Sequence, residues 1–224
     1  MLDDMDSNFN TAIIVAAGSG SRLASKTPKQ FLELRGVELL SYSVNSFLSH
    51  PLIHDVLIVT STDFLKHVRR QYPNCQVVPG GSTRQDSVFN GLEACNNKTT
   101  HVLVHDAARP LLPERVISEC LGMLETYDGV APAVTPVDSM VEIEGDTFRN
   151  LNRENLRIIQ TPQCFRVNVL KSAHATGNVD TDELGLVKQS LPEAKLTLIE
   201  GAPETMKVTH PADLTLIDLY LRAK

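Results

Sequence analysis

Two cations beside a glycine-rich turn are the first residues that could do chemistry. Residues 16–31 read AAGSGSRLASKTPKQF. Ala16, Ala17 and Gly18 allow close backbone approach and present N–H groups, which suits phosphate binding. Arg22 and Lys29, the latter fixed by Pro28, could offset negative charge that builds at phosphorus during group transfer. A sharp surface turn with solvated cations is the alternative. A second segment, PGGSTRQDSV at 79–88, could admit a flat ring at its glycines, with Ser87 and the backbone near Gly81 facing a base edge. Ser82 could instead cap the following helix, with Gln85 completing a capping box. Arg84 falls in that helix's first turn, where a cation opposes the helix dipole, so it calls for an anionic ligand or a buried ion pair. The third segment is HDAARP at 105–110. Asp106 could hold a ribose or a metal-bound phosphate, or cap the next helix, and Arg109 could meet a second anion.

Other chemistries fit poorly. A dinucleotide fingerprint would need glycine where Leu23 stands and an acid at the end of the second strand, whereas Glu38 precedes a helix. The Gly-Lys-Ser/Thr of a phosphate loop is missing. His101 and His105 share a strand face about 13 Å apart, too far for one ion. His50 and His54 enclose Pro51, which spoils a helical zinc pair. Cys75, Cys95, Cys120 and Cys164 form no C-x-x-C pair, and are expected to be separately placed, reduced thiols in a cytoplasmic protein.

The elements that must position these segments alternate. Residues 11–16 and 55–61 are apolar runs of the kind found in strands covered on both faces. Helical patterns occupy 39–48 and 63–71. A strand at 76–78, a helix opened at Ser82, a strand from His101 and a helix over 113–127 continue the order. Such alternation predicts an α/β fold with an open, doubly wound, mostly parallel sheet, ligands lying at the carboxyl ends of its strands. All three segments fall there. Residues 139–153 show two alternating runs around Gly145 and Asp146, a hairpin signal, so a protruding β-hairpin arm is expected at about 136–160. The remainder is expected to return to the sheet through 157–165, a helix over 167–175, and strands at LTLIEG and MKVT. A last helix would be capped by Thr209, with Pro211 and Asp213 in its first turn.

The chain has 224 residues, formal net charge −6, 42% hydrophobic and 21% charged residues. Those proportions indicate an ordinary globular protein, and by surface scaling about 70% of the unfolded surface can be buried. One domain spanning 1–224 is expected. No run of five Lys or Arg occurs, so nucleic acid is not expected as a partner. Asp3, Asp4 and Asp6 without a cation do not make a secretory leader, and the apolar runs are too short for a membrane span.

Five motifs, in order from about residue 11 to 221, resemble those of the 2-C-methyl-D-erythritol 4-phosphate cytidylyltransferase family. They are Ala16-Ala17-Gly18 with Arg22 and Pro28-Lys29-Gln30; Gly80-Gly81-x-x-Arg84-x-x-Ser87-Val88; His105-Asp106-Ala107-Ala108-Arg109-Pro110; Thr161-Pro162-Gln163; and Lys207-Val208-Thr209. The resemblance implies a Rossmann-like nucleotidyltransferase fold and transfer of CMP from CTP to methylerythritol phosphate, with release of pyrophosphate. It implies Arg22 and Lys29 as catalytic cations. Ala16, Ala17, Gly18, Gly81, Ser82, Ser87 and Asp106 would bind the nucleotide, and Arg109, Ser139, Arg153, Thr161 and Lys207 the acceptor. Mg²⁺ would be carried mainly on the CTP phosphates, with Asp106 as a candidate ligand. The arm would cross to a second subunit, so that Arg153 acts in trans within a homodimer with shared sites. Ser82, Ser139, Val141 and His210 stand where the family more often has an acid, threonine, lysine and arginine. A sister activity on ribitol 5-phosphate or a related polyol phosphate stays open, as does a nucleotide-binding module without catalysis, against which Arg22 and Lys29 count.

Overall fold

The computed structural model describes residues 8–18 and 27–223 of the chain. Strand β1 (Asn10–Ala16) is followed by the two-residue strands β2 (Glu33–Leu34) and β3 (Val37–Glu38), then α1 (Leu39–Leu48), β4 (Asp55–Thr60), α2 (Leu65–Gln71) and β5 (Gln76–Pro79). Helix α3 (Arg84–Glu93), β6 (His101–Asp106), α4 (Glu114–Met123) and β7 (Gly129–Val134) continue the alternation. The hairpin β8 (Met140–Glu144) and β9 (Thr147–Leu151) precedes β10 (Ile158–Ile159) and β11 (Gln163–Arg166). Helices α5 (Val167–Ala175) and α6 (Glu183–Ser190), strand β12 (Leu196–Glu200) and helix α7 (Pro211–Ala223) complete the order.

The main sheet runs β10-β7-β11-β6-β1-β4-β5, with β12 also on β7. Strands β5, β4, β1 and β6 are parallel neighbours, β12 lies parallel to β7, and β10 and β11 are the antiparallel members. The period of two along each central strand explains the layers. Ala12 and Ile14 of β1, Ile58 of β4 and Leu103 of β6 face one core, with Val44, Val68 and Ile117 from α1, α2 and α4. Ile13, Leu57 and Val102 face the other, with Val88, Leu170 and Leu186 from α3, α5 and α6. These strands contribute to both cores, which is why they read as unbroken apolar runs, and the doubly wound expectation holds. Truncating a fully buried side chain such as Ile13 or Ile14 to Ala should cost about 2–5 kcal/mol. Helix α7 closes a third, small cluster, Ile217 packing with Leu39, Leu111 and Val208.

Several expectations are corrected. The helix over 113–127 is helical only to Met123. The run 157–165 is parted at the cis Thr161–Pro162 bond into β10 and β11. MKVT is not a strand, since residues 206–209 carry no sheet pairing. Thr209 does not cap α7; its hydroxyl donates to the Lys207 carbonyl (3.1 Å), and Asp213 instead accepts from the amides of Thr209 and His210 (both 2.7 Å). The four cysteines are free thiols, as expected; Cys120 and Cys164 are buried in one core cluster, where the Cys164 thiol donates to the Pro162 carbonyl (3.8 Å) and burial raises its pKa. The hairpin turn falls at Gly145, whose φ of 63° is the left-handed conformation that favours glycine.

Candidate functional site

Because β1, β5 and β6 run parallel, their carboxyl ends lie at one edge of the sheet and their following loops enclose a cavity of about 490 Å³. The loop after β1 is held by Gln30. This buried side chain donates to the carbonyls of Ala16 (2.6 Å) and Gly18 (3.0 Å), shaping the main chain of Ala16, Ala17 and Gly18 along the cavity wall. The loop after β5 packs directly on it. A methyl group added at Gly80 would sit 2.4 Å from the Ala17 Cβ and 2.9 Å from the Ser87 Oγ, so only glycine permits this approach.

Helix α3 points its amino end into the cavity. Its cap differs from the expected Ser82 and Gln85 pair. The Thr83 hydroxyl accepts from the Asp86 amide, and Asp86 in turn accepts from the Thr83 amide (both 3.0 Å), a reciprocal box one residue further on. Ser82 lines the cavity and donates its hydroxyl to Asp86 Oδ2 (2.5 Å). The buried Ser87 accepts from the Gly81 amide (3.1 Å) and donates to the Thr83 carbonyl (2.9 Å), bracing the glycine turn.

Charge is concentrated around Asp106. Asp106, at the end of β6, accepts from Arg84 Nε on one oxygen (3.0 Å) and from Lys207 Nζ on the other (2.6 Å). Its carboxyl is held far below the usual carboxylate range because Arg84 and Lys207, with Arg109 nearby, outweigh the opposing effect of burial. Arg84 spans two carboxylates, its Nη1 donating to Glu183 of α6 at 2.5 Å. The arginine that opposes the α3 dipole is therefore answered by a buried ion pair. Lys29 enters from a 3₁₀ turn begun at Pro28, lines the cavity, and donates to the Val208 carbonyl (3.0 Å), joining the first loop to the segment that carries Lys207.

Ala16, Ala17, Gly18, Lys29, Gly81, Ser82, Ser87, Asp106 and Lys207 thus share one cleft. Arg22 lies outside the described residues. Arg109 sits behind the wall, donating to the Thr205 carbonyl (2.8 Å), with its Nε buried and without a hydrogen-bond partner among the described residues. Thr161 is buried beneath the cleft, where its hydroxyl accepts from the Asp106 amide (3.2 Å) and meets His105 Nδ1 (3.0 Å). Ser139 and Arg153 do not line the cleft; they flank the hairpin, Arg153 donating to the Val137 carbonyl (2.6 Å). Glu183 gave no sequence signal beyond the displaced charge of Arg84. Among the described residues Asp106 is the one carboxylate lining the cleft, and both its oxygens already accept from cations. The described residues therefore offer a hard cation at most one oxygen, from Asp106, and such a cation would have to be carried chiefly on a ligand's phosphates.

A family model described as IspD, 2-C-methyl-D-erythritol 4-phosphate cytidylyltransferase, matches residues 10–223. Among curated relatives, proteins of that name from Thermotoga neapolitana and Clostridium botulinum strain 657 are 36% and 34% identical over 218 residues. The former alignment covers 96% of this chain and 97% of the relative, the latter 92% and 95%. The crystal structure of 4-diphosphocytidyl-2C-methyl-D-erythritol synthase from Anaerococcus prevotii superposes with a TM-score of 0.87 at 25% identity, covering 97% of this chain and 98% of that one. The Thermus thermophilus 2-C-methyl-D-erythritol 4-phosphate cytidylyltransferase does so at 0.78 and 29% identity, covering 94% and 98%.

Proposed function

Because the chain belongs to the 2-C-methyl-D-erythritol 4-phosphate cytidylyltransferase family, we infer that its cleft transfers CMP from CTP to 2-C-methyl-D-erythritol 4-phosphate. An oxygen of the acceptor phosphate attacks the α-phosphorus in line, the bond to the β-phosphate oxygen breaks, and pyrophosphate leaves with that electron pair. No covalent enzyme intermediate is needed. Lys29 and Arg22 stabilise the negative charge that grows on the phosphoryl oxygens, an effect worth most when the donors are fixed beforehand. The main chain at Ala16, Ala17, Gly18 and Gly81, with Ser82 and Ser87, cradles the cytosine and phosphates, and Asp106 takes the ribose. Magnesium brought on the triphosphate would supply further neutralisation of its oxygens, and Asp106 is the residue of the cleft that could hold it. Lys207 holds the acceptor together with Ser139 and Arg153 of the arm, and Arg109 and Thr161, which do not line the cleft, would reach it only if the wall in front of them shifts on binding.

We assign the whole of 1–224 to one nucleotidyltransferase domain whose arm, at about 136–160, joins two chains in a homodimer with shared sites. Its partners are two phosphorylated small molecules rather than nucleic acid or membrane, and its place is the cytoplasm. A net charge of −6 is unfavourable for nucleic acid and supports that part of the reading; among the described residues no helix is long and apolar enough to cross a membrane.

The observation that carries the reading is the meeting of Lys29 and Lys207 against the Gly18 and Gly81 main chain in one cleft. Pyrophosphate release tests it, measured with CTP and Mg²⁺ and with methylerythritol 4-phosphate, ribitol 5-phosphate or no acceptor. Release with methylerythritol 4-phosphate alone is expected. Release with ribitol 5-phosphate alone would keep the chemistry and change the acceptor, and silence in every arm would leave a nucleotide binder.

A further inference from the structure

We propose that Glu183, which does not line the cleft, is a positioning residue for the transfer: it holds one end of Arg84 so that Asp106 keeps one oxygen for Lys207. The inference rests on the reading of the cleft as a cytidylyl-transfer site. Arg84 presents a planar fork that matches a carboxylate with two parallel bonds. Here the fork is split. Nη1 is held by Glu183 Oε2 at 2.5 Å, which fixes the tilt of the guanidinium plane; in that tilt Nε alone bonds Asp106, at Oδ1 (3.0 Å), and Oδ2 is left to Lys207 Nζ at 2.6 Å. The result is a row of alternating charge, Glu183, Arg84, Asp106, Lys207, whose last three members line the cleft.

Glu183 is built into place. Its side chain is 1% exposed at the first position of α6. The amino end of α6 is bolted to β11 by Gln163, which donates to Asp182 (2.9 Å) and accepts from the Leu184 amide (3.0 Å). Asp182 caps the helix on the Gly185 amide (2.8 Å). Gln85, next to Arg84 on α3, ties down the preceding loop through the Asn178 carbonyl (2.8 Å) and the Asp180 amide (3.3 Å). A buried carboxylate so braced does not follow Arg84; Arg84 follows it. With Glu183 neutral, the hold on Nη1 is weakened from an ion pair to an ordinary hydrogen bond, the plane can turn so that Nε and Nη2 close on both Asp106 oxygens and displace Lys207, and the cleft gains one unit of positive charge.

The two effects have opposite signs, and this separates positioning from mere support of the fold. Extra positive charge does not weaken a triphosphate's ground-state binding, whereas a misaimed ammonium slows transfer. Steady-state kinetics of Glu183→Gln is therefore expected to show kcat lowered at least tenfold with the CTP KM unchanged or lower. Arg84→Lys, a point charge that cannot span both carboxylates, should give the same pattern, and the double variant should be no worse than the poorer single one. Wild-type kcat in Arg84→Lys overturns the proposal, even where Glu183→Gln does not fold. So does a CTP KM that rises with the loss of kcat, or additive losses in the double variant. Absence of pyrophosphate release from the wild-type protein would instead overturn the reading of the site itself.

Discussion

Lys29 bonds to the carbonyl of Val208, the neighbour of Lys207, and one cation thereby couples the loop after β1 to the segment that carries Lys207. If it acts on the transition state, Lys29→Ala should lower kcat about 100-fold or more while CTP affinity changes far less. Isothermal titration beside steady-state kinetics checks this, and equal losses in both would reassign Lys29 to ground-state binding. His105 makes a different kind of prediction. The ring is fully buried against Phe47; Nδ1 meets the Thr161 hydroxyl, and Nε2 donates to the Arg109 carbonyl at 3.1 Å, an arrangement that suits the neutral imidazole. Burial lowers its pKa from 6.5 to about 4. Between those values the unfolded chain binds a proton that the native state does not, so stability falls as pH drops from about 6.5 to 4, by about 3 kcal/mol in all. His50, His101 and His174 are lowered in the same sense by burial and steepen the trend. Thermal unfolding followed from pH 7 to 4 should show the midpoint falling, with a shallower slope in His105→Gln. Equal slopes would show that His105 does not carry the effect.

Elements were legible wherever a local rule acted alone. The central strands announced themselves as apolar runs because both faces are covered, and α1 and α5 were read to the residue from their periodicity. Boundaries were lost where two local solutions compete. Ser82 and Thr83 can both cap α3, and the decision falls to Asp86, which returns the bond from three residues beyond Thr83 but not from three beyond Ser82. Helix α6 was missed because it is eight residues long and carries Gly185 inside it, and its real signal, Asp182 accepting from Gly185, is a single cap. The cleft's backbone cradle was legible because glycines at strand ends have few other uses. Glu183 was not, since a charge separated from Arg84 by 99 residues has no pattern in the chain. The glycines also yield a paired test. Gly80→Ala must push β1's loop away from α3 and should raise the CTP KM at least tenfold. Gly122→Ala in α4 meets nothing within 4 Å and should stabilise the protein by about 0.5–1 kcal/mol. Kinetics and chemical denaturation of the two variants check the contrast, and a Gly80→Ala enzyme with wild-type KM would mean that the cradle is not where the nucleotide sits.

At the scale of the molecule, the hairpin β8–β9 is the element that the proposed homodimer would cover. All five residues of β8 and four of the five in β9 are exposed, including Ile143 at 70% and Phe148 at 62%. Arg149, flanked by Glu142 and Glu144, ties the two strands, but exposed ion pairs contribute little and an isolated two-stranded ribbon is marginal in water. The homodimer proposed above would place a second copy of the chain on the hairpin, and would also account for Arg153 and Ser139 standing away from the cleft. Two consequences follow from a shared site. Phe148→Glu should convert a dimer to monomer in sedimentation velocity and abolish turnover together with it. The stronger test mixes chains. An Arg153→Ala chain keeps an intact nucleotide cleft but offers its neighbour no arginine, whereas a Lys29→Ala chain has a dead cleft and a sound arm. In a heterodimer the cleft of the first receives the arm of the second, so one of the two sites is complete. Activity approaching half of wild type per heterodimer is expected where each homodimer is nearly silent. Verified heterodimers with no recovered activity would place Arg153 in the site of its own subunit, and the arm would then serve association alone.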